Sequence, residues 1–134
     1  MTKPQSTDKP AAFVKEKGIR HLFAALRYSV QGLQRLWHEA AFRHEVILLF
    51  AGLVLFAVIG APFVHYLIFV ILMLLMVAFE AINTAIEELV DRISPEISSV
   101  GRHAKDLGSL AVFCLILINA GFVIYALVVN LFPG

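Results

Sequence analysis

The fold follows from one long segment, Phe63 to Ile93, which reads FVHYLIFVILMLLMVAFEAINTAIEELVDRI. Its first part, residues 63–79, carries no Asp, Glu, Lys or Arg, and a run of this length approaches the roughly 20 helical residues that cross a bilayer. Acidic residues begin at Glu80, but no glycine or proline interrupts the pattern before Pro95. Because proline rather than charge stops a helix, the sequence predicts one helix over 63–93 that spans a membrane and continues into water.

Two more apolar runs lie on either side of this segment, since no Asp, Glu, Lys or Arg occurs between Glu45 and Glu80 or after Asp106. The chain is 60% hydrophobic and 16% charged, against about 45–50% and about 25% in soluble domains. A fold of 134 residues has too little interior to bury such runs. The sequence therefore predicts an all-α membrane protein with spans at about 43–60, 63–93 and 108–132. It excludes a disordered chain, a nucleic-acid-binding domain and a disulfide-stapled secreted domain.

The residues before the first span divide into two parts. Residues 1–17 are polar and lack the apolar core of a cleaved signal peptide, which predicts a tail outside a membrane domain of residues 18–134. Residues 19–37 repeat apolar side chains three or four positions apart, opposite several arginines, and so predict an amphipathic helix. A basic helix of this kind favours the membrane interface. Packing against a soluble partner is the alternative.

Lys and Arg are distributed asymmetrically along the chain. Eight of the eleven precede Val46, the other three lie between the second and third spans, and neither the turn at Pro62 nor the C-terminal end has any. Positive charge is retained on the cytoplasmic side. The sequence therefore predicts a cytoplasmic N-terminus and a C-terminus on the opposite side of the membrane.

Four polar residues share one face of the predicted long helix. Asn83, Glu87 and Asp91 follow Glu80 at offsets that keep all four side chains on one side. A solvated helix end is the simplest interpretation, and it suits Asp91. A carboxylate as deep as Glu80 is costly in a membrane unless it faces a polar cleft, an ion or a partner. The face is therefore a candidate site for a lipid headgroup.

Two other segments add charged residues at the same membrane boundary. In the first, Glu39–Glu45, Glu39 is either a ligand at the membrane surface or the partner of Arg43 in a surface ion pair. The second is the predicted connection 94–109, which is either a basic loop that attracts anionic lipid or a phosphate site. For the phosphate site, Lys105 and Asp106 precede small residues at the predicted start of the third span.

Carboxylates, an amide and cationic side chains around one membrane boundary suit metal-assisted phosphoryl transfer. Mg²⁺ prefers oxygen ligands and usually binds through one or two carboxylates together with substrate phosphates. The sequence contains neither a P-loop nor a glycine-rich kinase loop. The spacing alone therefore leaves an acidic ion pathway in a small transporter as an open alternative.

At these motifs the sequence resembles the prokaryotic diacylglycerol kinase family. The resemblance depends on EAAFRHE at 39–45, EAINTAIEELVDR at 80–92 and AKDLGS at 104–109, in this order. It implies a homotrimeric inner-membrane enzyme, with sites shared between subunits, that phosphorylates diacylglycerol to phosphatidic acid with ATP and Mg²⁺. An undecaprenol kinase is the alternative within the family, and a small ion-conducting or structural oligomer is the alternative outside it.

The resemblance also implies roles for individual residues. Glu80 matches the catalytic base and, with Ser109, contacts the lipid, while Asn83 belongs to the same catalytic cluster. The metal ligands that also contact ATP match Glu39 and Glu87. Further ATP contacts match Tyr28, Glu96, Lys105 and Asp106. Where relatives often carry an arginine seven residues before the matched tyrosine, this chain has His21, with Arg20 beside it.

Overall fold

The computed structural model describes residues 17–96 and 98–134, and all regular structure in this part of the chain is helical. The four helices are α1 (Ile19–Leu36), α2 (Ala40–Val58), α3 (Phe63–Ile93) and α4 (Ser99–Leu131). Of these, α2, α3 and α4 are long and apolar enough to cross a membrane. The predicted fold class and the three spans are confirmed. Apart from Lys17, the predicted N-terminal tail lies outside the described residues.

The described residues fall into two compact units, 17–33 and 34–134. The first unit contains most of α1, which has the predicted amphipathic pattern. Its apolar residues, such as Leu22 and Leu26, are well exposed in the single chain. An apolar helix face of this kind needs a surface to cover it. The position of α1 in the membrane interface stays a prediction.

In the second unit, α3 packs against both α2 and α4. The ring of Phe56 on α2 is completely buried, with its centroid 5.3 Å from that of Phe69 on α3 and 6.2 Å from that of Phe122 on α4. Gly52 allows the helices to approach closely, because a Cβ atom at this position would overlap the Phe69 ring. Aromatic packing around α3 thus holds the three spans together.

A tight turn joins α2 to α3 at the predicted position. Gly60 adopts φ +66°, and the N–H of Ala61 donates to the carbonyl of Phe56 at 2.9 Å, as in a Schellman helix end. Pro62 then precedes the first residue of α3. The first span extends from Ala40 to Val58, so it begins three residues earlier and ends two residues earlier than predicted.

The connection between α3 and α4 is much shorter than predicted. The side chain of Ser98 accepts a hydrogen bond from the N–H of Gly101 at 3.0 Å, which caps a helix that begins at Ser99. The helix therefore begins about nine residues before the predicted start of the third span at about residue 108. Lys105 and Asp106 lie on a helix rather than in a loop, and Ser109 is not at a helix start. The predicted approach of a phosphate to a helix start at these residues is therefore wrong.

Candidate active site

The buried side of α3 is one continuous stripe that changes from apolar to polar. Met73 and Met76 continue into Glu80 and Asn83, each three or four residues after the last, and all four are buried. Glu80 is 6% exposed and Asn83 is 8% exposed. The interpretation of this face as a solvated helix end is therefore wrong for these two residues. The solvated-end interpretation does fit Asp91, whose side chain is 66% exposed.

Asn83 lies at a close approach of α3 to α4. Its Nδ2 donates to Oε1 of Glu87 at 3.2 Å. Its Oδ1 is buried and has no hydrogen-bond partner among the described residues. Gly108 on α4 leaves the necessary space, because a Cβ atom there would overlap Oδ1 of Asn83. A buried carbonyl oxygen of this kind retains the capacity to accept a donor or a cation.

Several carboxylates gather around Glu80. Its negative charge is close enough to Glu39 and Glu87 to be repelled by both. Glu45 on α2 is also buried, has one oxygen without a partner, and is repelled by Glu80. Burying like charges together is unfavourable unless a cation or a proton compensates them. The sequence did not predict Glu45 as a member of this cluster, although Glu45 is the last charged residue before the uncharged run of residues 46–79.

Arg35 is a second residue that the sequence interpretation did not assign to the site. Its guanidinium donates to Glu39 at 2.9 Å and forms an ion pair with Glu88 on α3. Hydrogen bonds to Glu39 and then to Glu88 raise the pKa of Arg35 above its usual value. The predicted ion pair between Glu39 and Arg43 is wrong. Arg43 instead donates to the backbone carbonyls of Trp37 and His38, which follow the last residue of α1.

A polar cleft lies at the same end of α3 and α4. It has a volume of about 260 Å³, and its walls include Glu96, Lys105 and Asp106, three of the residues predicted to contact ATP. Nζ of Lys105 donates to Oδ1 of Asp91 at 2.5 Å, which links the two helices across the cleft. The structure thus brings together the predicted ATP residues of α4 and of the connection before it.

The family model of the prokaryotic diacylglycerol kinases matches residues 27–128. The chain belongs to this family. It is 58% identical to the diacylglycerol kinase of Sinorhizobium sp. over 90% of this chain and 85% of that relative. It is 35% identical to the diacylglycerol kinase of Haemophilus influenzae, over 83% of this chain and 98% of the relative. It is 32% identical to the diacylglycerol kinase of Escherichia coli K12, over 75% of this chain and 84% of the relative.

Every residue predicted for the site lies within residues 27–128, the range that matches the diacylglycerol kinase family. Two of these residues are not among the members of the cluster described above. Tyr28 belongs to the unit of residues 17–33, is 57% exposed, and has the guanidinium of Arg27 5.4 Å from its ring centroid. Ser109 is exposed on α4, next to Gly108. Arg20 and His21 lie outside the matched range.

The donor set of the cluster suits a hard cation such as Mg²⁺. Within 17–96 and 98–134, no three His, Cys, Asp or Glu side chains form a complete metal site. Mg²⁺ does not require one, because it commonly binds through one or two carboxylates and takes its other ligands from water and substrate phosphates. Repelling carboxylates and the unpartnered oxygen of Asn83 are the kinds of groups that a cation would stabilise. The residues therefore fit a Mg²⁺ site in which the protein supplies some of the ligands and the nucleotide phosphates supply others.

Proposed function

We propose that this protein transfers the γ-phosphoryl group of ATP to the free hydroxyl of diacylglycerol and so forms phosphatidic acid. The observation that carries the proposal is the burial of Glu80, at the point where the apolar stripe of α3 becomes polar. A lipid hydroxyl that approaches from the apolar side meets this carboxylate after Met76, one helical turn earlier. The names of the relatives support diacylglycerol as the lipid.

In this mechanism Glu80 accepts the proton of the lipid hydroxyl. The hydroxyl oxygen forms a bond to the γ-phosphorus while the bond to the bridging oxygen of ATP breaks, and ADP leaves. A carboxylate base suits this step because a neutral alcohol is a weak nucleophile. Burial excludes water, which would otherwise compete for the phosphoryl group. Asn83 orients Glu87 through the 3.2 Å hydrogen bond.

Glu39 and Glu87 are the residues that would hold Mg²⁺. When bound, the metal neutralises charge on the ATP phosphates. Lys105 would place a further positive charge beside the phosphates, in the cleft that Glu96 and Asp106 also line. Tyr28 completes the proposed set of nucleotide contacts. Asp91 balances the charge of Lys105 across the cleft. When this ion pair opens, Lys105 can bind a phosphate instead.

We also propose a homotrimer in the bacterial inner membrane, with a cytoplasmic N-terminus and with active sites shared between subunits. The single chain leaves large apolar side chains exposed along all three spans, among them Phe50, Leu74 and Leu110. Lipid or neighbouring subunits would cover these side chains. To test sharing, inactive Glu80→Gln and inactive Lys105→Ala subunits are co-expressed with different affinity tags. Mixed oligomers purified through both tags regain part of the activity if one site draws on two subunits. Inactive mixed oligomers contradict this division.

The proposed reaction is tested by offering diacylglycerol and undecaprenol side by side in detergent micelles with ATP and Mg²⁺. We expect phosphorylated diacylglycerol as the main product and a strict requirement for Mg²⁺. Preferential phosphorylation of undecaprenol would assign the other lipid to the same site. ATP turnover without either lipid product, or no turnover at all, would contradict a lipid kinase.

A further inference from the structure

Arg35 joins two carboxylates that belong to different parts of the chain. Its Nη1 donates to Oε1 of Glu39 at 2.9 Å, and its Nη2 pairs with Oε1 of Glu88 on α3. Glu39 is the residue immediately before α2, in the short link 37–39 that follows α1. One guanidinium therefore connects this link to the polar part of α3.

The geometry of the bridge favours a role in orientation rather than in overall stability. The three side chains are between 34% and 51% exposed, and exposed ion pairs contribute little to folding free energy. The guanidinium is a rigid planar fork, however, and its two nitrogens fix the relative direction of the two carboxylates. Because the bond from Arg35 is made to Oε1 of Glu39, Oε2 remains for another ligand.

We propose that Arg35 is a positioning residue for Glu39, with Glu88 as its anchor on α3. The inference rests on the proposed function, in which Glu39 and Glu87 hold Mg²⁺ from different elements. Glu87 and Glu88 are neighbours, but Glu87 accepts from Asn83 whereas Glu88 pairs with Arg35. The bridge between Arg35 and Glu88 therefore sets how Glu39 lies relative to the helix that carries Glu87.

A purely electrostatic effect of Arg35 would have the opposite sign. A positive charge beside Glu39 opposes the binding of a cation. Removing Arg35 would then lower the Mg²⁺ concentration required for half-maximal activity. Removing a positioning residue raises that concentration, because Glu39 is no longer held in place. The direction of the change therefore separates the two roles.

The first measurement is the Mg²⁺ dependence of lipid phosphorylation by Arg35→Gln, Arg35→Lys and Glu88→Gln. We expect Arg35→Gln to raise the Mg²⁺ requirement by about tenfold, the lower end of the range for partners that orient metal ligands, with less change at saturating Mg²⁺. Arg35→Lys should resemble Arg35→Gln, because a point charge does not form the two-pronged bridge. Glu88→Gln should act in the same direction but less strongly, since Glu39 keeps its hydrogen bond. Lys17 is exposed, and Lys17→Gln is the matched control, which should have the same Mg²⁺ requirement as the unaltered protein.

The second measurement does not depend on activity. Trp37, the single tryptophan of the sequence, lies in the link beside Glu39 and packs against Phe42 with ring centroids 5.9 Å apart. Without nucleotide or metal, Arg35→Gln and Glu88→Gln should lower the fluorescence anisotropy of Trp37, whereas Lys17→Gln should not. Unchanged anisotropy in both variants overturns the positioning role.

The outcomes also separate this inference from the proposed function. If Glu39→Gln shifts the Mg²⁺ requirement but Arg35→Gln and Glu88→Gln leave it unchanged or lower it, the positioning role is overturned and the proposed function stands. If the unaltered protein phosphorylates no lipid, both are overturned.

Discussion

Gly108 on α4 occupies a position where a single added methyl group would overlap Oδ1 of Asn83 on α3. The glycine therefore sets the placement of an amide that in turn donates to Glu87. In this way the backbone of one helix positions a polar side chain of another, and that side chain orients a proposed ligand. The relationship links the packing of the spans directly to the chemistry of the site.

Gly108→Ala should therefore reduce activity more than it reduces stability. The new methyl group forces Asn83 to move, so Glu87 loses its hydrogen bond, while overpacking at one position typically destabilises by about 1–3 kcal/mol. We expect at least a tenfold loss of turnover, about the effect of disturbing a partner of a ligand. Gly121→Ala is the control, because among the described residues no atom outside its own helical turn lies within 4 Å of the added Cβ. Equal activity of the two variants would show that the placement of Asn83 is unimportant.

Removing the charge of either proposed metal ligand should change the response to Mg²⁺. Glu39→Gln and Glu87→Gln each replace an anionic oxygen donor by a neutral amide, which hard cations bind more weakly. Both variants should need more Mg²⁺ for half-maximal activity and should turn over more slowly. Asp8→Asn, at a position outside the family match, is the control. An unaltered Mg²⁺ response in both glutamate variants would reject their shared role.

The proposed orientation in the membrane makes a labelling prediction. In a Cys114→Ala background, Val100→Cys and Gly134→Cys place one thiol at the start of α4, where Val100 is 76% exposed, and one at the C-terminus. An impermeant thiol reagent applied to intact inner-membrane vesicles of known orientation should label the first only from the cytoplasmic side. It should label the second only from the opposite side. Labelling of both positions from one side would contradict three crossings.

The length of the apolar runs was sufficient to predict the three spans, and helical spacing was sufficient to predict the shared face of Glu80, Asn83 and Glu87. These properties are local, since they depend on helical spacing within one uninterrupted segment. The end of α3 before Pro95 and the turn at Gly60 also follow from single residues with strong conformational preferences. Such features are encoded where they occur in the chain.

The contacts between helices could not be predicted in the same way. The pairing of Arg35 with Glu88 depends on how the link before α2 meets α3. The i, i+4 spacing of ion pairs on a helix instead predicted a pair between Glu39 and Arg43, which does not form. The early start of α4 was missed because charged residues were interpreted as a loop, although Ser98 caps a helix that tolerates them. Glu45 resembled an ordinary charge at a membrane boundary until its burial on α2 beside Glu80 was known.

In the proposed mechanism Glu80 is the base that accepts the proton of the lipid hydroxyl. The most direct test is transfer of labelled γ-phosphate from ATP to diacylglycerol by the unaltered protein and by Glu80→Gln. The amide keeps the size of the side chain but is not a base, so turnover should fall by roughly 10²–10⁴-fold, with little change in ATP binding. The helical content and the thermal stability should be retained, because a buried charge has been removed. A folded Glu80→Gln protein that transfers phosphate at the unaltered rate would show that Glu80 is not the base.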